Sequence, residues 1–89
     1  MPTISIFFGI VITLYFFDSG KHNTPHIHAK YQENEAVFEI ETAEMIDGNL
    51  PKNKIHLVKA WIEIHKEDLM ADWDLASRGQ PIFKIDPLR

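Results

Sequence analysis

The sequence predicts an α+β fold: an antiparallel sheet of four or five N-terminal strands, followed by two C-terminal helices packed on one face of the sheet. The first half of the chain contains short runs of β-branched and aromatic residues separated by turn residues, a pattern typical of strands. In residues 51–78 the apolar residues recur at helical spacing. With 89 residues, 45% of them apolar, and no internal repeat, the chain is expected to form a single domain over residues 1–89.

The first two strands are predicted over residues 3–8 and 10–17, with a tight turn at Gly9, a residue that tolerates positive φ. Residues 1–17 carry no charged side chain, which raises the alternative of a signal peptide or a membrane span. That alternative is disfavoured because the run lacks a basic start, falls short of the roughly 20 residues of a spanning helix, and is rich in strand-forming residues. The second strand is apolar on both faces, so we expect both faces to be at least partly covered.

The third strand is predicted over residues 26–31, directly after a proline. Alternation along this stretch places Ile27 and Ala29 on one face of the sheet and His26 and His28 on the other. Both imidazoles are therefore expected to leave the same face, which makes this stretch the strongest candidate for a functional site.

The fourth strand is predicted over residues 36–41, and alternation restricts its pairing with the third strand. If the apolar residues of both strands share one face, a hairpin loop of residues 33–34 or of residues 32–35 satisfies the pattern. Either loop predicts two cross-strand pairs, His28 with Glu39 and His26 with Glu41. The sequence therefore predicts a cluster of two histidines and two glutamates on one face of the sheet.

This cluster is a candidate metal site. Its predicted ligands are His26, His28, Glu39 and Glu41, with Asp18 at the end of the second strand as a further ligand. Neutral imidazole and carboxylate oxygens suit a divalent transition metal such as zinc, iron or manganese. The alternative is a set of cross-strand His–Glu pairs with a structural role. The pattern leaves both interpretations open, and with them the question of whether the protein is an enzyme.

Two helices are predicted, over residues 51–65 and 67–78. One continuous helix over this span would be about 40 Å long, which exceeds the roughly 30 Å width of a domain of this size. The break is expected near residues 65–68, where cationic or titratable groups are followed by carboxylates. The acidic residues between positions 63 and 74 are interpreted as a polar helix face.

Two shorter segments are predicted to be extended. Residues 44–46 form a fifth strand before an Asp-Gly turn signal. Residues 82–85 form the second extended segment, and residues 82–88 pair either within the chain or with another chain. The sequence leaves these two alternatives open.

The charge balance restricts the partners of the protein. The formal net charge is −4 and the sequence pI is about 5.6. This composition disfavours broad binding of nucleic acid or of an anionic membrane, because both need clustered Lys and Arg. The absence of cysteine excludes disulfides and zinc–sulfur sites and suits a reducing compartment. We therefore expect a cytoplasmic protein that binds neither nucleic acid nor a membrane.

Several stretches, taken together, carry a family resemblance. They are the opening Met-Pro-Thr-Ile-Ser, then Phe-Phe-Gly-Ile-Val-Ile, Pro-His-Ile-His-Ala-x-Tyr, Asp-Gly-x-Leu-Pro, the helices from Trp61 to Trp73, and the closing Ile-Asp-Pro-Leu. With these stretches the chain resembles the small bacterial proteins grouped as domain of unknown function 4160. Three positions depart from the family pattern. Ile6 and Thr13 stand where basic residues are usual. Ile27 likewise stands where an aromatic residue is usual.

The resemblance implies a cytoplasmic, stand-alone domain without an established activity. Such domains are often encoded beside another small protein, in arrangements reminiscent of toxin–antitoxin pairs. We therefore expect a protein-interaction module, either a homodimer or bound to a small partner encoded nearby, and the apolar first hairpin is the favoured contact surface. The alternative is a metal-dependent hydrolase or nuclease that uses His26 and His28.

Overall fold

The structure is a computed structural model that describes residues 3–14, 16 and 24–88. Within these residues, five antiparallel strands in the sheet order β1-β2-β3-β4-β5 precede two helices. The elements are β1 (Thr3–Phe7), β2 (Ile10–Thr13), β3 (His26–Tyr31), β4 (Asn34–Glu39), β5 (Met45–Gly48), α1 (Lys52–Ile64) and α2 (Lys66–Ser77). The predicted α+β class and the order of strands before helices are confirmed.

The hairpin between β1 and β2 has a two-residue turn. Phe8 and Gly9 have φ of 50° and 79°, and positive φ at both central residues suits the twist of the two paired strands. In the described part of the chain β2 ends at Thr13, whereas the sequence predicted a strand to residue 17. Residues 15 and 17–23, and with them the predicted metal ligand Asp18, lie outside the described residues.

The predicted register between the third and fourth strands is wrong by two residues. The hairpin loop is residues 32–33, since Tyr31 pairs with Asn34, and Gln32 takes a left-handed φ of 54° that reverses the chain directly after β3. The pairs are therefore His26 with Glu39, Ile27 with Phe38, His28 with Val37, Ala29 with Ala36 and Lys30 with Glu35. A shift of two residues keeps every side chain on its predicted face, so the two histidines do share one face.

The helical half of the chain breaks where the charge pattern predicted a break. His65 is the single residue between α1 and α2. Trp61 of α1 packs on Phe7 of β1 with ring centroids 5.3 Å apart, which places α1 against the apolar face of the sheet. Trp73 of α2 contacts His26 at the start of β3, with ring centroids 5.0 Å apart. The second helix therefore covers the end of the sheet at which β3 begins.

Residues 82–88, here named the C-terminal strap, pack along the outer edge of β1. The Ile85 N–H donates to the Ile4 carbonyl at 2.8 Å, and the Trp61 indole N–H donates to the Asp86 carbonyl at 2.8 Å. Ile85 is buried and joins the hydrophobic core. The strap therefore packs within its own chain, which is one of the two alternatives that the sequence left open.

The core is a single cluster formed by the apolar face of the sheet, both helices and the strap. Its largest fully buried side chains include Trp61, Phe38, Ile12, Leu14, Ile27 and Leu69. Among the described residues, none of the helices is long and apolar enough to span a membrane.

Candidate functional site

The imidazole of His26 is fully buried and has a defined tautomer. Its Nδ1 atom lies 2.7 Å from the backbone carbonyl oxygen of Thr24. A carbonyl oxygen only accepts hydrogen bonds, so Nδ1 carries the proton and donates. In the neutral ring Nε2 then holds the lone pair, which makes this atom the one able to bind a metal or a proton.

His28 repeats this arrangement with a carboxylate in place of the carbonyl. Its Nδ1 lies 3.2 Å from Oε2 of Glu35, so Nδ1–H donates to the Glu35 carboxylate. The His28 ring is nearly buried, whereas the Glu35 side chain is 52% exposed. The two imidazole rings lie edge to face, with centroids 5.3 Å apart. We name His26 and His28 the histidine pair.

The structure brings together some of the predicted ligands and separates others. Glu39 lies opposite His26, but its Oε1 accepts a 2.7 Å hydrogen bond from the Thr42 hydroxyl. Glu41 is exposed and lies beyond the end of β4, so it takes no part in the strand pairing that the sequence predicted. Asp18 lies outside the described residues.

The carboxylate that does contact the histidine pair, Glu35, was missed by the sequence prediction. Glu35 lies diagonally across the hairpin from His28, and the observed loop of residues 32–33 brings it there, whereas neither predicted loop does. Among the residues that the structure describes, three or more His, Cys, Asp or Glu side chains nowhere come together in a way that could hold a metal ion.

A second candidate surface is apolar. Ile6 on β1 is 59% exposed and Phe8 in the following turn is 56% exposed; we name these two residues the hairpin patch. Lys54 of α1 supports the turn, because its ammonium group donates to the Phe8 carbonyl at 3.3 Å and lies 4.7 Å from the centroid of the Tyr31 ring.

A buried carboxylate on α2 was also missed by the sequence prediction, which assigned it to a polar helix face. Asp72 is only 3% exposed, and its Oδ1 accepts a hydrogen bond from the Phe83 N–H at 3.0 Å. Burial raises the pKa of Asp72 above its ordinary value of 3.8; the Phe83 hydrogen bond opposes this rise and the nearby Asp68 carboxylate adds to it. The sequence did contain a signal for this burial: Asp72 follows the core residue Leu69 by three positions, which places both residues on the same face of the helix.

The fold and these sites together define a small α+β domain with a buried histidine pair. The family model for domain of unknown function DUF4160 matches residues 9–74, which is more than half of the chain, and the chain belongs to that family. The matched part contains the histidine pair and both tryptophans, so the resemblance seen in the sequence is confirmed. No curated protein and no solved structure matches the chain significantly.

Proposed function

We propose that this chain is a protein-interaction module, one half of a two-gene regulatory or toxin–antitoxin-like pair, that binds its partner through the hairpin patch. The observation that supports this proposal best is the position of Phe8. Its side chain is 56% exposed on a backbone with a left-handed φ of 50°. A large residue in that conformation is strained by roughly 1 kcal/mol or more.

Neither the turn nor the core accounts for phenylalanine at this position. Asn, Asp or Gly would form the turn with less strain, and an exposed ring adds little to the burial of the chain's own apolar surface. Backbone strain that persists without a structural benefit points to function. A partner that buries the Phe8 ring supplies the missing benefit.

The charge distribution supports the same surface. Residues 3–14 contain no charged side chain, although the chain carries a net charge of −4. A partner docking here removes no charged side chain of β1 or β2 from water. Lys54 holds the turn from within the molecule, so the patch is ordered before binding, which lowers the entropic cost of association.

The partner is a second copy of the chain or a small protein encoded nearby, and one experiment addresses both. We would measure the mass of the purified protein by light scattering at tens of micromolar and co-purify it with the neighbouring gene product. The test variants are Ile6→Thr and Phe8→Asn. The matched control is Ile46→Thr, the same change at an isoleucine that is 42% exposed on β5, at the opposite edge of the sheet.

We expect both hairpin variants to weaken association about tenfold or more, because centrally buried apolar and aromatic residues dominate interface energies. Ile46→Thr should associate like the wild type. A monomeric mass together with no co-purifying product would refute the proposal, as would association that persists unchanged in both hairpin variants.

A second candidate function is a metal-dependent hydrolase or nuclease. The observation that favours it is that both histidines donate Nδ1–H, one to a backbone carbonyl and one to a carboxylate. Metal-binding histidines in proteins are commonly oriented by such partners, which leave Nε2 as the ligand atom. A metal held by the two histidines would lower the pKa of a bound water and so supply the nucleophile for hydrolysis.

Within this second proposal the ligands are His26 and His28, completed by Asp18 or water. Glu39 is not included, because it does not come together with both histidines. Glu41 is not included, because the observed register places it beyond β4. The test is elemental analysis and calorimetry with zinc and manganese on the wild type, on the His26→Ala/His28→Ala variant and on His56→Ala. His56 is an exposed histidine on α1 and serves as the matched control.

Stoichiometric binding that disappears in the double variant and survives in His56→Ala would support a metal centre and justify a screen of phosphoesters. Since His26 is fully buried, circular dichroism must show that the double variant folds, and His28→Gln provides a milder replacement. Less than about a tenth of an equivalent of metal after incubation with both ions would rule the centre out.

A further inference from the structure

A cavity of about 420 Å³ lies between α2 and the C-terminal strap. Asp68, Asp72 and Leu75 line it from the helix, and Phe83 and Asp86 line it from the strap. Its volume is within the range of pockets that take small organic ligands. It is separate from both the histidine pair and the hairpin patch.

Asp72 lines this cavity, and one of its two carboxylate oxygens is left without a hydrogen-bond donor. Oδ1 of Asp72 accepts the Phe83 N–H, but Oδ2 is buried and receives no hydrogen bond from the described residues. Buried carboxylate oxygens in native proteins nearly always have a donor, and each exception calls for a physical explanation. A donor from outside the chain would satisfy Oδ2.

The charges around the cavity specify the kind of donor. Three aspartates are among the lining residues, Asp68, Asp72 and Asp86, against one lysine, Lys84. Lys84 is exposed and forms no ion pair with a described residue. His65 also lines the cavity, with its Nδ1 3.9 Å from Asp68 Oδ2. The cavity therefore has excess negative charge, which attracts a cation.

The spacing of the carboxylates distinguishes an organic cation from a metal ion. Among the described residues, no three of these side chains come close enough to hold a metal ion together. An organic cation can reach carboxylates that lie farther apart, because its N–H donors and its apolar stem extend over several ångströms. Phe83, which is 71% exposed, offers an aromatic face to such a group.

We propose that the cavity between α2 and the C-terminal strap binds the guanidinium or ammonium group of an organic cation, with Asp72 as the central acceptor. The source of the cation is either a free amine or a basic side chain of a protein partner. In the unliganded protein, burial raises the pKa of Asp72. A cation bound against Asp72 would favour the ionised carboxylate and so oppose this rise.

The test is a nuclear magnetic resonance titration of the full chain with n-butylguanidinium and, separately, n-butylammonium. The reporter is the backbone amide of Phe83, which bonds directly to Asp72. We expect a saturable shift of this amide, with the affinity reduced about tenfold or more in Asp72→Asn, since a desolvated charge pair is lost. Glu67→Gln is the matched control, because this exposed α2 residue carries the same charge and does not line the cavity.

Asp72→Asn keeps an oxygen for the Phe83 N–H and is expected to fold. If it does not, Asp86→Asn tests the same site, since only the side chain changes and the backbone carbonyl that Trp61 binds remains. We expect this variant to weaken binding severalfold. An absence of saturable shifts in the wild type would overturn the proposal. Equal affinity in the wild type and the folded cavity variant would also overturn it.

A second arm identifies the source of the cation. The peptide Gly-Arg-Gly is titrated beside n-butylguanidinium under the same conditions. Tighter binding of the peptide assigns the site to a basic side chain of a partner protein. Tighter or equal binding of the small molecule assigns it to a free organic cation. Either result supports the site, and failure here leaves the hairpin proposal untouched, because the two surfaces share no residue.

Discussion

The hydroxyl group of Ser5 is a buried polar group without a hydrogen bond to any described residue. Ser5 is 7% exposed and belongs to the edge strand β1. Removing an unsatisfied buried hydroxyl takes away its desolvation penalty, so we expect Ser5→Ala to raise the free energy of unfolding by about 1 kcal/mol. Urea denaturation followed by fluorescence measures this change.

The control for this prediction is Ser77→Ala. The Ser77 hydroxyl is exposed and donates to the Asp74 carbonyl at 2.7 Å, so its removal should leave the stability unchanged or slightly lower. A clear loss of stability in Ser5→Ala would mean that the Ser5 hydroxyl has a hydrogen-bond partner in solution, and would contradict the prediction.

Asp72 is expected to make stability depend on pH. Its pKa is raised above 3.8 in the folded protein, so the folded state binds the proton more tightly than the unfolded state does. The stability that Asp72 contributes is therefore fully present below pH 3.8 and is lost as the pH rises through the folded-state pKa. Burial is the dominant cause, because it disfavours the charged carboxylate.

We expect the free energy of unfolding of Asp72→Asn, relative to the wild type, to increase as the pH rises above 3.8 and then to level off. Denaturation curves over a pH series measure this difference. Glu67→Gln, at an exposed position of the same helix, should show no such trend. A difference that decreases with pH would mean that the Phe83 hydrogen bond outweighs burial.

At the scale of elements, the β3–β4 hairpin shows that alternation predicts the face on which a side chain lies but not the register of the two strands. Alternation required the apolar residues to share a face, and that requirement predicted the common face of His26 and His28 correctly. It did not predict the register, because registers that differ by two residues satisfy it equally. The deciding feature was the left-handed conformation of Gln32, which the sequence does not mark because Gln is uncommon in that conformation.

The contacts of Asp72 show a second limit of the sequence prediction. The helix itself was predicted within a residue or so at each end, since its pattern is local. The hydrogen bond from Phe83 to Asp72 joins residues 11 apart and depends on how the strap folds back over α2. Such a contact is set by tertiary packing, and the local pattern therefore made Asp72 look like an ordinary surface residue.

The pairing of β4 with β5 depends on Gly48. Its φ is +74°, and a Cβ atom there would overlap the Glu35 carbonyl oxygen and lie 2.9 Å from the Ala36 Cα. Because backbone atoms cannot move aside as a side chain can, we expect Gly48→Ala to lower the free energy of unfolding by about 2 kcal/mol or more. Thermal or urea denaturation measures the loss.

Gly79 provides the matched comparison for Gly48. Its φ is +71°, but a Cβ atom there would meet nothing within 4 Å. Gly79→Ala should therefore cost only the backbone strain, about 1 kcal/mol. Equal losses in the two variants would show that strain alone, and not the close approach of β4, makes Gly48 necessary.

At the scale of the whole molecule, the C-terminal strap connects three elements that are distant in sequence. The Ile85 N–H donates to the Ile4 carbonyl of β1. The Asp86 carbonyl accepts a hydrogen bond from the Trp61 indole N–H of α1, and the Phe83 N–H donates to the Asp72 carboxylate of α2. The strap also covers part of the outer edge of β1, a strand without charged residues or proline. An uncovered edge of this kind is prone to pairing with other chains.

The strap should therefore stabilise the molecule through Ile85, its buried residue, and not through its exposed aromatic ring. Ile85 is 8% exposed and Phe83 is 71% exposed. We expect Ile85→Ala to lower the free energy of unfolding by about 2–4 kcal/mol, because it removes buried methyl groups and leaves a cavity. Phe83→Ala should change the stability by about 0.5 kcal/mol or less.

Urea denaturation measures both strap variants. In a Trp73→Phe background the fluorescence comes from Trp61 alone, and it reports on the strap because the Trp61 indole N–H bonds to it. In Ile85→Ala we expect Trp61 emission to shift to longer wavelength at urea concentrations below the main transition, because a loosened strap admits water to the indole before the sheet unfolds. Equal losses of stability in Ile85→Ala and Phe83→Ala would contradict this prediction, because they would show that burial of Ile85 contributes no more to holding the strap than its exposed contacts do.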